Sequence, residues 1–188
     1  HFQEVYMRTI KLLLFVFMFF VLCTSAFADV KNASSAPANT ADDFTLSDQD
    51  GKMWKLSDAL KEYRGVVLAF YAKDNTRGWI RQFVEFQQNI EKYESRKVKI
   101  FGLSRDSAES HRKFITQNGF KNITLLVDEK GKVAKMYDAD HWLLPFSKRV
   151  YVIIDQKMNV IYKKDMGLID LLPNQTQTLI NEIDRQIK

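Results

Sequence analysis

The chain has 188 residues, 46% of them apolar and 13% aromatic, with a formal net charge of +5. That length suits one domain with an extension, and that apolar content excludes a wholly disordered chain. The basic residues are scattered, with Lys97/Lys99, Lys130/Lys132/Lys135 and Lys163/Lys164 the densest groups, so the surface reads as solvated and no nucleic-acid partner is expected.

Residues 1–28 read as an export leader. Arg8 and Lys11 supply a basic start, Leu12 to Leu22 an unbroken apolar run, and Ala26-Phe27-Ala28 a small-x-small cleavage signature. Met7 looks like the natural start, which makes residues 1–6 an upstream extension and leaves His1 without functional weight. The apolar run is marginal for a hydrocarbon core of roughly 30 Å, so membrane contact is expected only in transit, an uncleaved anchor being the lesser reading. Cys23 is the one cysteine, and it lies in the leader. The residues before it lack the small side chain usual ahead of a lipid-attachment cysteine. A chain cleaved at Ala28 therefore has no disulfide and no thiol nucleophile.

Residues 29–42 are small, polar and Pro-containing, a flexible linker before a domain over 43–188. Phe44-Thr45-Leu46 and Met53-Trp54-Lys55 flank the turn-forming Ser47 to Gly51, which predicts a β-hairpin. Ser57 then caps a brief helix through Leu60 that ends near Gly65. Val66 to Tyr71 is an apolar strand, Ala72 to Arg77 a polar loop, and Gly78 and Trp79 open a helix whose apolar positions are Trp79, Phe83, Phe86, Ile90 and Tyr93. Val98 to Ser104 is the next strand. Asp106 with Glu109 gives a capping-box-like start to a helix ending at Asn118-Gly119. Ile123 to Val127 is a third strand, followed by a short helix around Val133 to Tyr137. Arg149 to Asp155 and Val160 to Lys164 form a second hairpin, and a helix from about Leu171 to Ile187 turns Leu172, Leu179, Ile183 and Ile187 inward. Alternating strands and helices closed by a hairpin predict an α/β, thioredoxin-like fold: a mixed central sheet with helices on both faces and an N-terminal β-hairpin.

The strand, loop and helix start over Val66 to Phe86 aim backbone N–H groups and a positive helix end at one place, so a site is expected there. The segment Phe70-Tyr71-Ala72-Lys73-Asp74-Asn75-Thr76-Arg77-Gly78-Trp79 resembles the active-site loop of peroxiredoxins of the alkyl-hydroperoxide-reductase/thiol-specific-antioxidant type, nearest the bacterioferritin-comigratory (PrxQ) branch, whose motif is Pro-x-x-x-Thr-x-x-Cys. Phe101 to Ser107 with His111 to Phe114, Leu126 to Ala134, and Arg149 to Asp155 resemble later blocks of the family in order and spacing. The resemblance implies that the family's threonine and arginine are Thr76 and Arg149. It also implies that its proline falls on Ala72, its peroxidatic cysteine on Trp79 and the second cysteine of many members on Val84.

Peroxidatic catalysis needs a thiolate that attacks a peroxide oxygen and becomes a sulfenic acid. An indole offers neither a titratable proton in range nor a comparable nucleophile. The pocket of Ala72, Thr76, Gly78, Trp79 and Arg149 is then a remnant without a catalytic residue. Trp79 is either a plug, the favoured reading from its place on the apolar face, or an aromatic platform. Arg149 either pairs with a carboxylate such as Asp74 or Glu85, again favoured, or binds an anion with the Gly78 helix end. His111 sits on a polar helix and is expected to face solvent. Asp138, Asp140 and His141 form a surface loop more readily than a metal site. Trp142 to Phe146 either covers the sheet edge or touches a partner.

From the leader and the resemblance together the chain is expected to be an exported redoxin of a bacterial periplasm, without cofactor or metal, that binds rather than catalyses. Its partner would be another envelope protein or a second copy in a dimer, met through the loop around Trp142 and Phe146. The competing expectation is an antioxidant oxidoreductase acting on hydroperoxides, or in thiol–disulfide exchange with a thiol supplied by a partner.

Overall fold

A computed structural model describes residues 40–187, so the expected leader, Cys23 and most of the expected linker lie outside the described residues. Two small strands, β1 (Thr45–Ser47) and β2 (Met53–Lys55), pair antiparallel, as the turn cluster between them predicts. The main sheet has five strands, β3 (Gly65–Phe70), β4 (Val98–Ser104), β5 (Thr124–Val127), β6 (Val150–Asp155) and β7 (Val160–Asp165), in the order β5-β4-β3-β6-β7. The first three run parallel, and β6 and β7 run antiparallel to their neighbours. The six helices among the described residues are α1 (Leu56–Glu62), α2 (Arg77–Gln88), α3 (Ile90–Glu94), α4 (Ala108–Asn118), α5 (Lys132–Met136) and α6 (Gln175–Gln186).

The two faces of β3 bury different cores, which follows from the period of two along a strand. Val67 and Ala69, with Tyr71 just beyond the strand, meet α2, α3, α4 and α6 through Phe83, Phe86, Tyr93, Phe114, Leu179 and Ile183. Val66, Leu68 and Phe70 meet α1 and α5 through Leu56, Leu60, Val133 and Ala134. β3 is buried at every position, so its run of apolar residues is continuous rather than alternating.

Several local expectations differ from what the chain does. Ser57 does not cap α1; Lys55 takes the N-cap position, and Asp43 accepts from the Ser57 backbone N–H (3.0 Å) and hydroxyl (2.8 Å). The cap of α4 is Ser107, whose hydroxyl accepts from the Ser110 N–H, because the Asp106 carboxylate is already taken by the Ser104 hydroxyl and the Asp74 N–H. The apolar series from Trp79 to Tyr93 crosses a break at Asn89, where α2 stops and α3 begins in phase. Ala41, inside the expected linker, is buried and donates its N–H to Met158.

Gly102 of β4 lies where that strand closely approaches both β5 and α2. A Cβ there would lie 2.5 Å from Leu125 Cδ2 and 2.6 Å from Phe83 Cζ. Gly102→Ala should therefore destabilise the domain by about 1–3 kcal/mol through overpacking, measured as a lower urea midpoint, and adding Phe83→Leu should recover part of that loss.

Candidate functional site

The site is built where β3 ends and α2 begins. Tyr71 leaves the sheet fully buried, and the loop that follows turns through Asn75 at φ 57°, a left-handed conformation that asparagine tolerates. Thr76 is the N-cap of α2; its carbonyl accepts from the Trp79 and Ile80 N–H groups, and its exposed hydroxyl donates to the Lys73 carbonyl (3.2 Å). Trp79, in the first turn, is only 6% exposed. Its ring lies against Arg149, with the guanidinium carbon 3.8 Å from the ring centroid.

Arg149 reaches the site from the residue before β6 and is 1% exposed. Its Nε donates to Gln82 Oε1 of α2 (3.0 Å), and its Nη1 donates to the carbonyls of Ile169 (3.3 Å) and Asp170. Burial pushes its pKa down, opposed by the charges of Tyr151 and Asp170, yet a guanidinium remains protonated. The expected pairing of Arg149 with Asp74 or Glu85 does not occur. Glu85 instead accepts from the Thr176 N–H (2.7 Å), serving the start of α6, and Asp74 belongs to a separate network. Arg149 is thus a buried cation neutralised by dipoles and a π-face rather than by a carboxylate.

The Asp74 network is the second half of the site. Asp74 accepts from the Tyr71 hydroxyl (2.8 Å) and the Ser110 hydroxyl (2.7 Å), and its Oδ2 lies 2.9 Å from His111 Nδ1. His111, expected to face solvent, has no exposure at all. It lies three residues before the buried Phe114, on the inward face of α4, and the short loop carboxylate makes that burial tolerable. Burial, reinforced by the Asp74 charge, holds the Tyr71 hydroxyl well above the ordinary tyrosine range, so it stays a neutral donor.

The structure therefore brings Gly78, Trp79 and Arg149 together, with a Cβ at Gly78 falling 3.4 Å from Arg149 Nη2. Ala72 and Val84 are half-buried and pack against the same core. Thr76 sits at the same helix end, but its hydroxyl is turned to the loop backbone. Sequence reasoning missed Gln82, Gln175 and the role of Tyr71. Gln82 stood on the apolar face three residues after Trp79, a misplaced polar residue that signalled a buried partner. Gln175 donates to the Gln82 carbonyl (3.3 Å) and accepts from the Tyr151 hydroxyl, extending the Arg149 network into α6. Among the described residues, no cluster of three His, Cys, Asp or Glu could hold a metal ion.

With this geometry in view, the AhpC/TSA family model matches residues 37–163. The chain belongs to the AhpC/TSA family. Within it, this peroxiredoxin-family chain falls with the PrxQ/bcp branch. It is 37% identical over 166 residues to the chloroplastic peroxiredoxin Q of Sedum lineare, covering 87% of this chain and 80% of that protein. It is 40% identical over 99 residues to the putative peroxiredoxin bcp of Helicobacter pylori (strain ATCC 700392 / 26695), covering 53% of this chain and 63% of that protein. The peroxidoxin BcpB of Mycobacterium tuberculosis shares the fold with a TM-score of 0.71 at 24% identity, over 80% of this chain and 97% of that one. A Xylella fastidiosa PrxQ mutant does so with a TM-score of 0.68 at 22% identity, over 80% and 98%.

Asp74→Ala would strip the acceptor from two fully buried groups, Tyr71 and His111, and should cost about 2–4 kcal/mol in urea unfolding. Asp74→Asn, which keeps an acceptor oxygen in the same shape, should cost less than half of that.

Proposed function

We propose that this peroxiredoxin-family chain acts by binding rather than by reducing hydroperoxide, and that it does so after export through residues 1–28 into a bacterial envelope. The observation that carries the reading is the occupant of the family's nucleophile position: a buried indole stacked on the family's arginine, in a chain whose one cysteine is Cys23. Retained polar groups can orient a peroxide or hold charge, but an indole at this position offers no nucleophile comparable to a thiolate to attack the O–O bond.

The apolar loop residues Trp142, Leu143 and Leu144 are exposed, which supports a role for this edge in meeting an envelope partner or a second copy of the chain. A second reading, an antioxidant oxidoreductase working with a thiol from a partner, draws support from the kept Arg149 and from the identity to peroxiredoxin Q.

Purified protein mixed with hydroperoxide and a thiol reductant should consume peroxide only at the uncatalysed rate, while Trp79→Cys should gain turnover. Turnover by the unmodified chain at the level of the Cys variant overturns the binding reading. Turnover that appears only when a thiol-bearing envelope protein is added favours the second.

A further inference from the structure

The loop between α5 and β6 is organised by one imidazole. Its base is closed by the bridge between Asp140 and Ser147 and by the Lys148 N–H donating to the Ala139 carbonyl (2.7 Å). Inside it the His141 N–H donates to the Phe146 carbonyl (3.2 Å). The His141 ring stacks on Trp142 and tilts against Phe146, with centroids 6.3 and 5.9 Å away. At the tip, His141 Nδ1 accepts from the Leu143 N–H (3.2 Å) and the Leu144 N–H (3.1 Å). Trp142 and Leu143, which this turn presents, are 86% and 68% exposed.

We propose that the 140–147 loop is a pH-operated turn, held by neutral His141 and released when Nδ1 takes a proton. A ring nitrogen that accepts two N–H groups carries no hydrogen, so the neutral ring bears its proton on Nε2. A proton from solvent added at Nδ1 converts the acceptor into a donor facing two donors. Both tip bonds are lost, and the Leu143 and Leu144 N–H groups turn to water. The turn therefore persists above the imidazole titration and opens below it, moving Trp142 and Leu143 with it. The ionisable groups around the loop are Asp140 on the loop itself, Asp138 paired with Lys163 of β7 (2.7 Å), and Lys148 paired with Asp165 at the end of β7 (2.5 Å). Each of the two pairs cancels its own charge, and Asp140 is the remaining carboxylate on the loop.

The test is a proton–nitrogen NMR titration of the purified protein from about pH 8 to pH 5, the range in which imidazoles change charge. The expected result is an Nε2–H tautomer for His141 at the alkaline end, with the Leu143 and Leu144 amides shifting at the His141 midpoint and losing exchange protection in acid. His141→Asn supplies an oxygen that accepts from following N–H groups without titrating, and should leave those amides flat across the range. A hydrogen on Nδ1 in the neutral ring would overturn the proposal, as would unmoved amides while the ring titrates. An undiminished response in His141→Asn would equally overturn it and assign the effect to Asp140.

Discussion

A guanidinium buried without a carboxylate is the constraint on which the site side of this domain depends. Arg149 stands where β6 begins, and every neighbour that can solvate it has been recruited: an amide oxygen from α2, two carbonyls from the segment after β7, and the face of Trp79. A cation of this kind is costly to bury unless dipoles surround it. A cation–π contact in such a desolvated setting is worth roughly 2 kcal/mol or more. The consequence runs both ways: Trp79 keeps Arg149 from water, and Arg149 fixes the ring of Trp79 against the sheet. Gln82 then passes the constraint through Gln175 to Tyr151 and α6, so the helix that opens at the site is clamped along its length.

The loop ahead of that helix is held from the other side. Asp74 gathers Tyr71, Ser110 and His111, while its own N–H donates to Asp106 at the end of β4. One short carboxylate thus joins the end of β3, the turn after β4 and the first turns of α4. What results is a helix N-terminus fixed in place by two polar networks, with an indole at its centre. That indole stands at the position the resemblance gives to the family's cysteine, and the proposed binding role rests on that occupant.

Much of the fold was legible in the sequence because the strands announce themselves. Val98 to Ser104 was placed without error, and the apolar run at Val66 to Tyr71 was displaced by one residue, since strand limits follow pairing partners rather than hydropathy. The left-handed Gly119 ending α4 was also readable, because few other residues adopt that conformation. Caps were less legible. Ser57 and Asp106 are good capping residues by type, but each has a stronger claim on it, from Asp43 for Ser57 and from the Ser104 hydroxyl and the Asp74 N–H for Asp106. The resemblance grouped Gly78, Trp79 and Arg149, and these three lie against one another. The partners of Arg149 and the burial of His111 did not follow from type, since opposite charges suggest pairing and a histidine among polar residues suggests solvent. Only the packing of α2 and α4 decides which partner each of these two side chains can reach.

The most direct measurement is the behaviour of the Arg149 Nε–H in a proton–nitrogen NMR spectrum of the purified protein. A proton donated to Gln82 beneath an indole should exchange slowly with water and be shifted upfield by the ring current, and the shift should vanish in a Trp79→Phe variant or fall to the smaller value a phenyl ring produces. A signal at the position of a free arginine side chain, exchanging rapidly with solvent, would contradict the account of a closed site in which protein groups hold Arg149.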